Sequence, residues 1–198
     1  MRSTITTLLF APTKQLVVAE VVPLTVMMAE DRMHRDCWTD ESLLDEFRPE
    51  PIDRHWLWSN AEITYEDRLV GSEKVAIVTG DGAVQGAMLI STEPVPSILS
   101  PDSSALFVEL LFTAPRNRPV LRRDGRDYFK GVGTALLEWA SWRCREAGHD
   151  GLILHGSPEY LDWYEKRGLK RLPANPILYE GVIYTPMELP VGTSGSIS

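Results

Sequence analysis

The spacing of apolar residues shifts along this chain, and the shifts mark its elements. Thr4 to Phe10 and Gln15 to Val22 are rich in β-branched residues and read as strands. Helical spacing follows in Val26 to Cys37. A second stretch opens at Thr39-Asp40-Glu41 and runs through Leu43, Leu44 and Phe47 until Pro49 stops it; Trp56 to Arg68 gives a third. The period then returns to that of strands. Val75 to Thr79 and Ala83 to Thr92 flank Gly80-Asp81-Gly82, a hairpin signal. Leu106 to Thr113 is almost wholly apolar and reads as a central strand.

A helix is predicted after Gly131-Val132-Gly133-Thr134. Thr134, Glu138, Ser141 and Arg145 recur on its polar face, with Val132, Leu136, Trp139 and Ala140 on the other, and Gly148 stops it. Leu152 to His155 reads as a short buried strand. Ser157-Pro158-Glu159 then opens a further helix, with a hydroxyl at the N-cap, proline in the first turn and an acid near the positive end. Gly168 closes it. Strands around Leu169 to Leu172 and Val182 to Leu189 finish the chain, and the tail from Val191 to Ser198 reads as disordered. This order predicts one α/β (α+β) domain over residues 1–190, with a mixed sheet rather than a doubly wound parallel one.

Composition narrows the class. The chain has 198 residues, 43% of them hydrophobic and 24% charged, enough to bury a substantial core. It has no apolar run of membrane-spanning length, and Ile5 to Phe10 is too short and threonine-rich for a signal peptide. Cys37 and Cys144 make neither a disulfide framework nor a metal knuckle, and His34, His55, His149 and His155 lack metal-like or triad-like spacing. The expectation is a cytoplasmic protein with no metal and no membrane partner. His155, at the end of a buried strand, reads as a hydrogen-bonded structural residue. Trp56 and Trp58 read as packing against the sheet.

Charge is uneven. Arg116 to Lys130 carries six basic and two acidic residues, a net +4 in a chain of −8, which leaves −12 elsewhere. The overall sign argues against nucleic acid as a partner. The basic segment, however, runs straight into the two glycines at the mouth of a helix, where backbone N–H groups and the macrodipole suit a phosphate or pyrophosphate. A dinucleotide fingerprint needs a third glycine where Leu136 stands, and a nucleotide P-loop needs a Gly-Lys-Ser/Thr that is absent.

Three ordered motifs carry a resemblance: Leu111-Phe112-Thr113-Ala114-Pro115, Lys130 through Leu137, and Ser157 followed by Trp163-Tyr164-Glu165-Lys166-Arg167-Gly168-Leu169. Together they resemble the GNAT superfamily of acyl-CoA-dependent N-acetyltransferases. In that superfamily a strand ends near proline, a Gln/Arg-x-x-Gly-x-Gly/Ala turn follows, and a later helix carries Phe-Tyr-Glu-Lys-x-Gly-Phe. The resemblance spans about Val75 to Leu172. Tyr128 replaces the usual Gln/Arg, and the Pro115-to-Gly131 connection is long, as in bacterial members with Ala-Pro-x-Asn-Arg, here Ala114 to Arg118.

The resemblance implies direct acetyl transfer from acetyl-CoA to an amine-bearing acceptor. The amides of Gly131, Val132, Gly133 and Thr134, with Lys130 beside them, would receive the pyrophosphate. The backbone of Phe112 and Thr113 would pair with pantetheine, which Ser157 would touch. Tyr164 would protonate the leaving thiolate. Glu109, the one charge within Leu106 to Phe112, is the candidate general base. Two other classes stay open at this level: the same fold as a non-catalytic module binding acyl-CoA or a protein, and an unrelated nucleotide-binding domain. The motifs do not specify the acceptor, nor whether the chain works as a monomer or a homodimer.

Overall fold

The computed structural model describes residues 4–24, 71–118, 128–179 and 182–192. The helices expected over Val26 to Cys37, Thr39 to Pro49 and Trp56 to Arg68 lie outside them. So do Cys37, His34, His55, Trp56, Trp58, most of the basic loop, and the tail from Thr193. The described residues fall into two compact units.

The first unit contains β1 (Thr4–Phe10), β2 (Gln15–Pro23), Lys74–Met88 and Leu111–Leu136. β1 and β2 form an antiparallel hairpin with Leu8 opposite Val17, and β2 continues antiparallel onto β3 (Ser72–Thr79) with Val21 opposite Ile77. The two-residue β7 (Phe129–Lys130) pairs with the outer side of β1, Phe10 against Phe129. β3 turns into β4 (Val84–Ser91) through the expected loop: Gly82 has φ +82, and Asp81 Oδ1 accepts from the Thr79 hydroxyl and the Ala83 amide. Those bonds also hold the Asp81 carboxyl below its ordinary pKa, the Thr79 hydroxyl most of all. Leu24, Ala76, Val84, Ala87 and Ala114 form a buried cluster, with Val22, Val78 and Phe112 packed against it.

The second unit contains Gly71–Glu73, Leu89–Leu110 and Leu137–Ser198. β6 (Ser104–Thr113) runs parallel to β8 (Gly151–Gly156), and β11 (Val182–Pro190) lies antiparallel on the far side of β8. The short strands β5 (Val95–Pro96), β9 (Lys170–Arg171) and β10 (Ile177–Tyr179) pair antiparallel with β6, β11 and β11. The sheet is therefore mixed, as expected, and mostly antiparallel. Leu89, Ile90, Leu137, Leu152 and Met187 are fully buried here, each contributing about 1.5–3 kcal/mol of gross burial.

Helix α1 (Val132–Glu146) links β6 to β8 along the chain and gives residues to both units. Its polar face differs from the expectation at Ser141, which is buried because its hydroxyl donates to Leu137 O one turn back, at 2.8 Å. Gly148, at φ +80, ends the helix region as expected. Val191, counted in the expected tail, is buried instead, and its amide donates to Asp150 O. Among the described residues no helix is long and apolar enough to cross a membrane.

Candidate active site

The glycine turn belongs to the first unit. Gly131 takes φ +91, a conformation that favours glycine, and a Cβ added there would meet nothing within 4 Å. The first helical bond runs from Ala135 N–H to Gly131 O, so the ladder of α1 supplies no acceptor to the amides ahead of it. The first turn of α1 carries no acidic residue, and Lys130 is exposed at its mouth. These donors suit a pyrophosphate. Gly133 and Thr134 are half-buried, whereas the Val132 side chain is buried.

Two features that sequence reasoning passed over fix this turn in place. Gly86, in β4, leaves room for the helix: a Cβ there would stand 2.5 Å from Val132 Cγ1 and 3.0 Å from Phe112 O. Asn117 is the second. Its amide donates to Gln85 O and Gln85 Oε1, each at 3.1 Å, and its Oδ1 accepts the Phe129 N–H at 2.7 Å. Gln85 Nε2 in turn donates to Thr79 Oγ1. A buried polar chain thus runs from the hairpin to the residue pair that precedes Gly131. Its sequence signal was Gln85, a long polar side chain inside an apolar strand.

Phe112 and Thr113 end β6, both half-buried. The Thr113 carbonyl accepts from Arg118 Nε at 2.9 Å, and the same guanidinium lies 5.9 Å from the Phe112 ring centroid. Tyr128 is half-buried, with its carbonyl accepting from Ala11 N–H.

Glu109, Ser157 and Tyr164 belong to the second unit. The parallel register of β6 and β8 covers only Ala105↔Gly151 to Val108↔Leu154. Beyond it, Glu109 and His155 sit at the same level on strands no longer paired. Alternation puts Glu109 on the face of Phe107. His155 shares that face, its ring edge-on to Phe107 at 5.1 Å. Burial pushes the Glu109 carboxyl above, and the His155 imidazole below, its ordinary pKa. The His155 imidazole makes no hydrogen bond to the side chain or backbone of another described residue.

Tyr164 lies on the opposite face. A Cβ on Gly156 would stand 3.3 Å from Tyr164 Cδ2 and 3.0 Å from both Leu161 Cδ2 and Met187 Sδ. Successive strand residues point to opposite faces, so this side is the reverse of that holding His155. Tyr164 is buried and packs edge-on against Trp163 at 5.0 Å. Burial raises its pKa strongly, with Tyr160 and Glu159 adding to the effect, so the phenol keeps its proton at neutral pH.

The helix expected from Ser157 is shorter and differently capped. A 3-10 turn (Pro158–Tyr160) precedes α2 (Leu161–Glu165), and the Ser157 hydroxyl donates to Glu159 Oε1 instead of capping an amide. Side chains brace α2: Arg171 pairs with both Glu165 oxygens, and the Arg167 guanidinium stands 3.8 Å over the Trp163 ring. Among the described residues no group of three His, Cys, Asp or Glu could hold a metal.

No family profile matches the chain, and no curated protein sequence does. Solved structures do. The paiA N-acetyltransferase of Thermoplasma acidophilum, in complex with coenzyme A, is 13% identical with a TM-score of 0.55, over 87% of this chain and 98% of that one. The histone acetyltransferase HPA2 and related acetyltransferase of Corynebacterium glutamicum is 17% identical, TM-score 0.53, over 89% and 98%. A GCN5-related N-acetyltransferase of Rhodopseudomonas palustris is 18% identical, TM-score 0.56, over 86% and 94%. This chain has the fold of the GNAT superfamily of N-acetyltransferases.

Proposed function

We propose that the protein is an N-acetyltransferase that moves an acetyl group from acetyl-CoA directly to an amine. The observation that carries this reading is the opening of β6 from β8 beyond Val108 and Leu154, with Glu109 on one face and Tyr164 on the other. Two faces suit the two proton movements of aminolysis. An amine of ordinary pKa near 10.4 arrives as ammonium and must lose a proton before it attacks. Glu109 holds that ammonium and offers a carboxylate to receive the proton, directly or through water. The amine nitrogen then bonds to the thioester carbon, and the carbonyl π pair moves onto oxygen. An N–H from Phe112 or Thr113 polarises this oxyanion. Collapse breaks the C–S bond as the nitrogen gives up its second proton to solvent, and the Tyr164 hydroxyl protonates the departing thiolate before regaining its proton from solvent.

Donor binding falls to the glycine turn. The amides of Gly131 to Thr134 and the charge of Lys130 receive the pyrophosphate, while the ends of Phe112 and Thr113 and the Ser157 hydroxyl meet pantetheine as an added strand would. The same fold acting only as an acyl-CoA-binding or protein-binding module draws support from Tyr128, which stands where a Gln/Arg side chain usually helps at the phosphates. Two experiments separate these readings. Calorimetry with acetyl-CoA, and with ATP as control, should show selective micromolar binding. Thiol release with amine acceptors should show turnover that Tyr164→Phe lowers about 100-fold or more while leaving the acetyl-CoA Kd unchanged. Binding without turnover for any amine would leave the module; equal binding of ATP would point to a nucleotide-binding domain.

A further inference from the structure

The imidazole of His155 is the half-buried titratable group at this opening that the mechanism above leaves unused. It lies on β8 at the level of Glu109 on β6, two residues past the Phe107↔Ile153 pair, and its ring touches Phe107. We propose that His155 takes the proton from the acceptor ammonium, with Glu109 holding the cation opposite it. The proposal rests on the acetyl-transfer reading and refines its base.

Charge balance favours this division of work. On this proposal Glu109 is the anion and His155 the neutral partner in the resting site, the ring nitrogens of His155 being bonded to no other described residue. When the ammonium arrives beside Glu109, the proton moves from R–NH3+ to the imidazole lone pair. This leaves R–NH2 to attack and an imidazolium beside the same carboxylate. The site's net charge is unchanged by the transfer, and the half-buried carboxylate keeps a cationic neighbour throughout. Transfer to Glu109 would instead remove its charge and leave the acceptor amine without an anchor. The imidazolium later returns its proton to solvent.

Among the described residues, β11 brings two other titratable groups to this face, Tyr184 and Glu188. β11 places Pro186 opposite His155 and Glu188 opposite Ile153. The Glu188 carboxylate is already engaged by the Ser97 hydroxyl and by the amides of Ile98 and Leu99. Burial lowers the imidazole pKa below 6.5, which keeps the lone pair available across neutral pH.

The test is a pH profile of kcat/KM by thiol release, using acetyl-CoA with spermidine, a lysine peptide and tryptamine as acceptors. For the wild type, activity falls on acidification with a midpoint below 6.5. His155→Gln is expected to lose about 100-fold or more at neutral pH and to lose that acidic limb, with the acetyl-CoA Kd unchanged. Added imidazole should restore part of the rate to His155→Gly, a rescue that a purely structural role would not give. Glu109→Gln should keep the limb and raise the acceptor KM. A His155→Gln profile matching wild type, or a limb lost in Glu109→Gln and kept in His155→Gln, overturns the proposal alone. Absence of wild-type turnover with every amine overturns the acetyl-transfer reading and this refinement with it.

Discussion

Asn117→Ala isolates the contribution of the buried polar chain to the glycine turn. The substitution removes two donated bonds to Gln85 and one accepted bond from Phe129 N–H. Three polar groups lose this partner: the Phe129 amide, the Gln85 carbonyl and the Gln85 side-chain oxygen. The carbonyl still accepts from Ala114 N–H at 2.9 Å, so its loss is partial. Two groups stripped of a bond, at about 1–3 kcal/mol each, put the destabilisation at roughly 2–6 kcal/mol. For a chain of this length, that lowers Tm by roughly 4–24 °C in a thermal melt. The same change frees β7 from the 3-10 turn at Pro115–Asn117 and loosens the residue pair before Gly131, so calorimetry should show acetyl-CoA affinity falling at least tenfold. Asn117→Asp separates the two links: it keeps the acceptor for Phe129 N–H and gives up the donors to Gln85. It should bind acetyl-CoA better than the alanine variant despite a comparable loss of stability. If Asn117→Ala melts as wild type does, or melts lower while binding acetyl-CoA equally well, the network does not position the turn.

Three further outcomes follow from packing and charge. Gly86→Val should cost at least about 1–3 kcal/mol in chemical denaturation, because Val132 and the Phe112 carbonyl occupy the space, and should weaken acetyl-CoA binding by moving the start of α1; unaltered affinity would separate Gly86 from the turn. Glu188→Ala should lower stability by roughly 2–4 kcal/mol, since it strips the Ser97 hydroxyl and the Ile98 and Leu99 amides of their shared acceptor, while Glu188→Gln should cost less. Glu109→Gln should raise Tm at pH 7. The fold raises this pKa, so ionisation costs stability as pH rises through the raised value and costs nothing below about 4.5; the gain should therefore vanish on acidification, and an equal gain at pH 3.5 would contradict the desolvation account.

Elements with their own local signal were legible in the sequence. β1, β2, β3, β4, β6, β8 and β11 each sit within about three residues of the apolar runs that announced them, because burial of such runs needs no knowledge of the partner strand. The Gly80-Asp81-Gly82 hairpin and the Gly131 turn were legible because backbone conformation there is chosen by glycine itself. β5, β7, β9 and β10 are two or three residues long and exist by virtue of the strand they pair with, and only β9 lay within an expected strand. Ser157 and Ser141 misled for one reason: a hydroxyl has several local acceptors, and neither chose the role its position suggested. The placement of Tyr164 and Glu109 on opposite faces of β6 and β8 follows from a parallel register between residues more than forty positions apart, which no local pattern encodes.

The helix that carries Tyr164 is only five residues long. A helix this short does not persist in water by itself. Its geometry is borrowed from β8 and β11, through the bare backbone of Gly156 and through Met187, and from the Arg171 pair at its end. Tyr164, the proposed proton donor, is therefore among the last groups to be set in the folding chain and among the first to come adrift. On gentle warming, turnover should be lost before the tertiary structure melts, because α2 can open locally while its supporting strands hold. Enzymatic rate would then report the completion of folding more sharply than fluorescence or circular dichroism does.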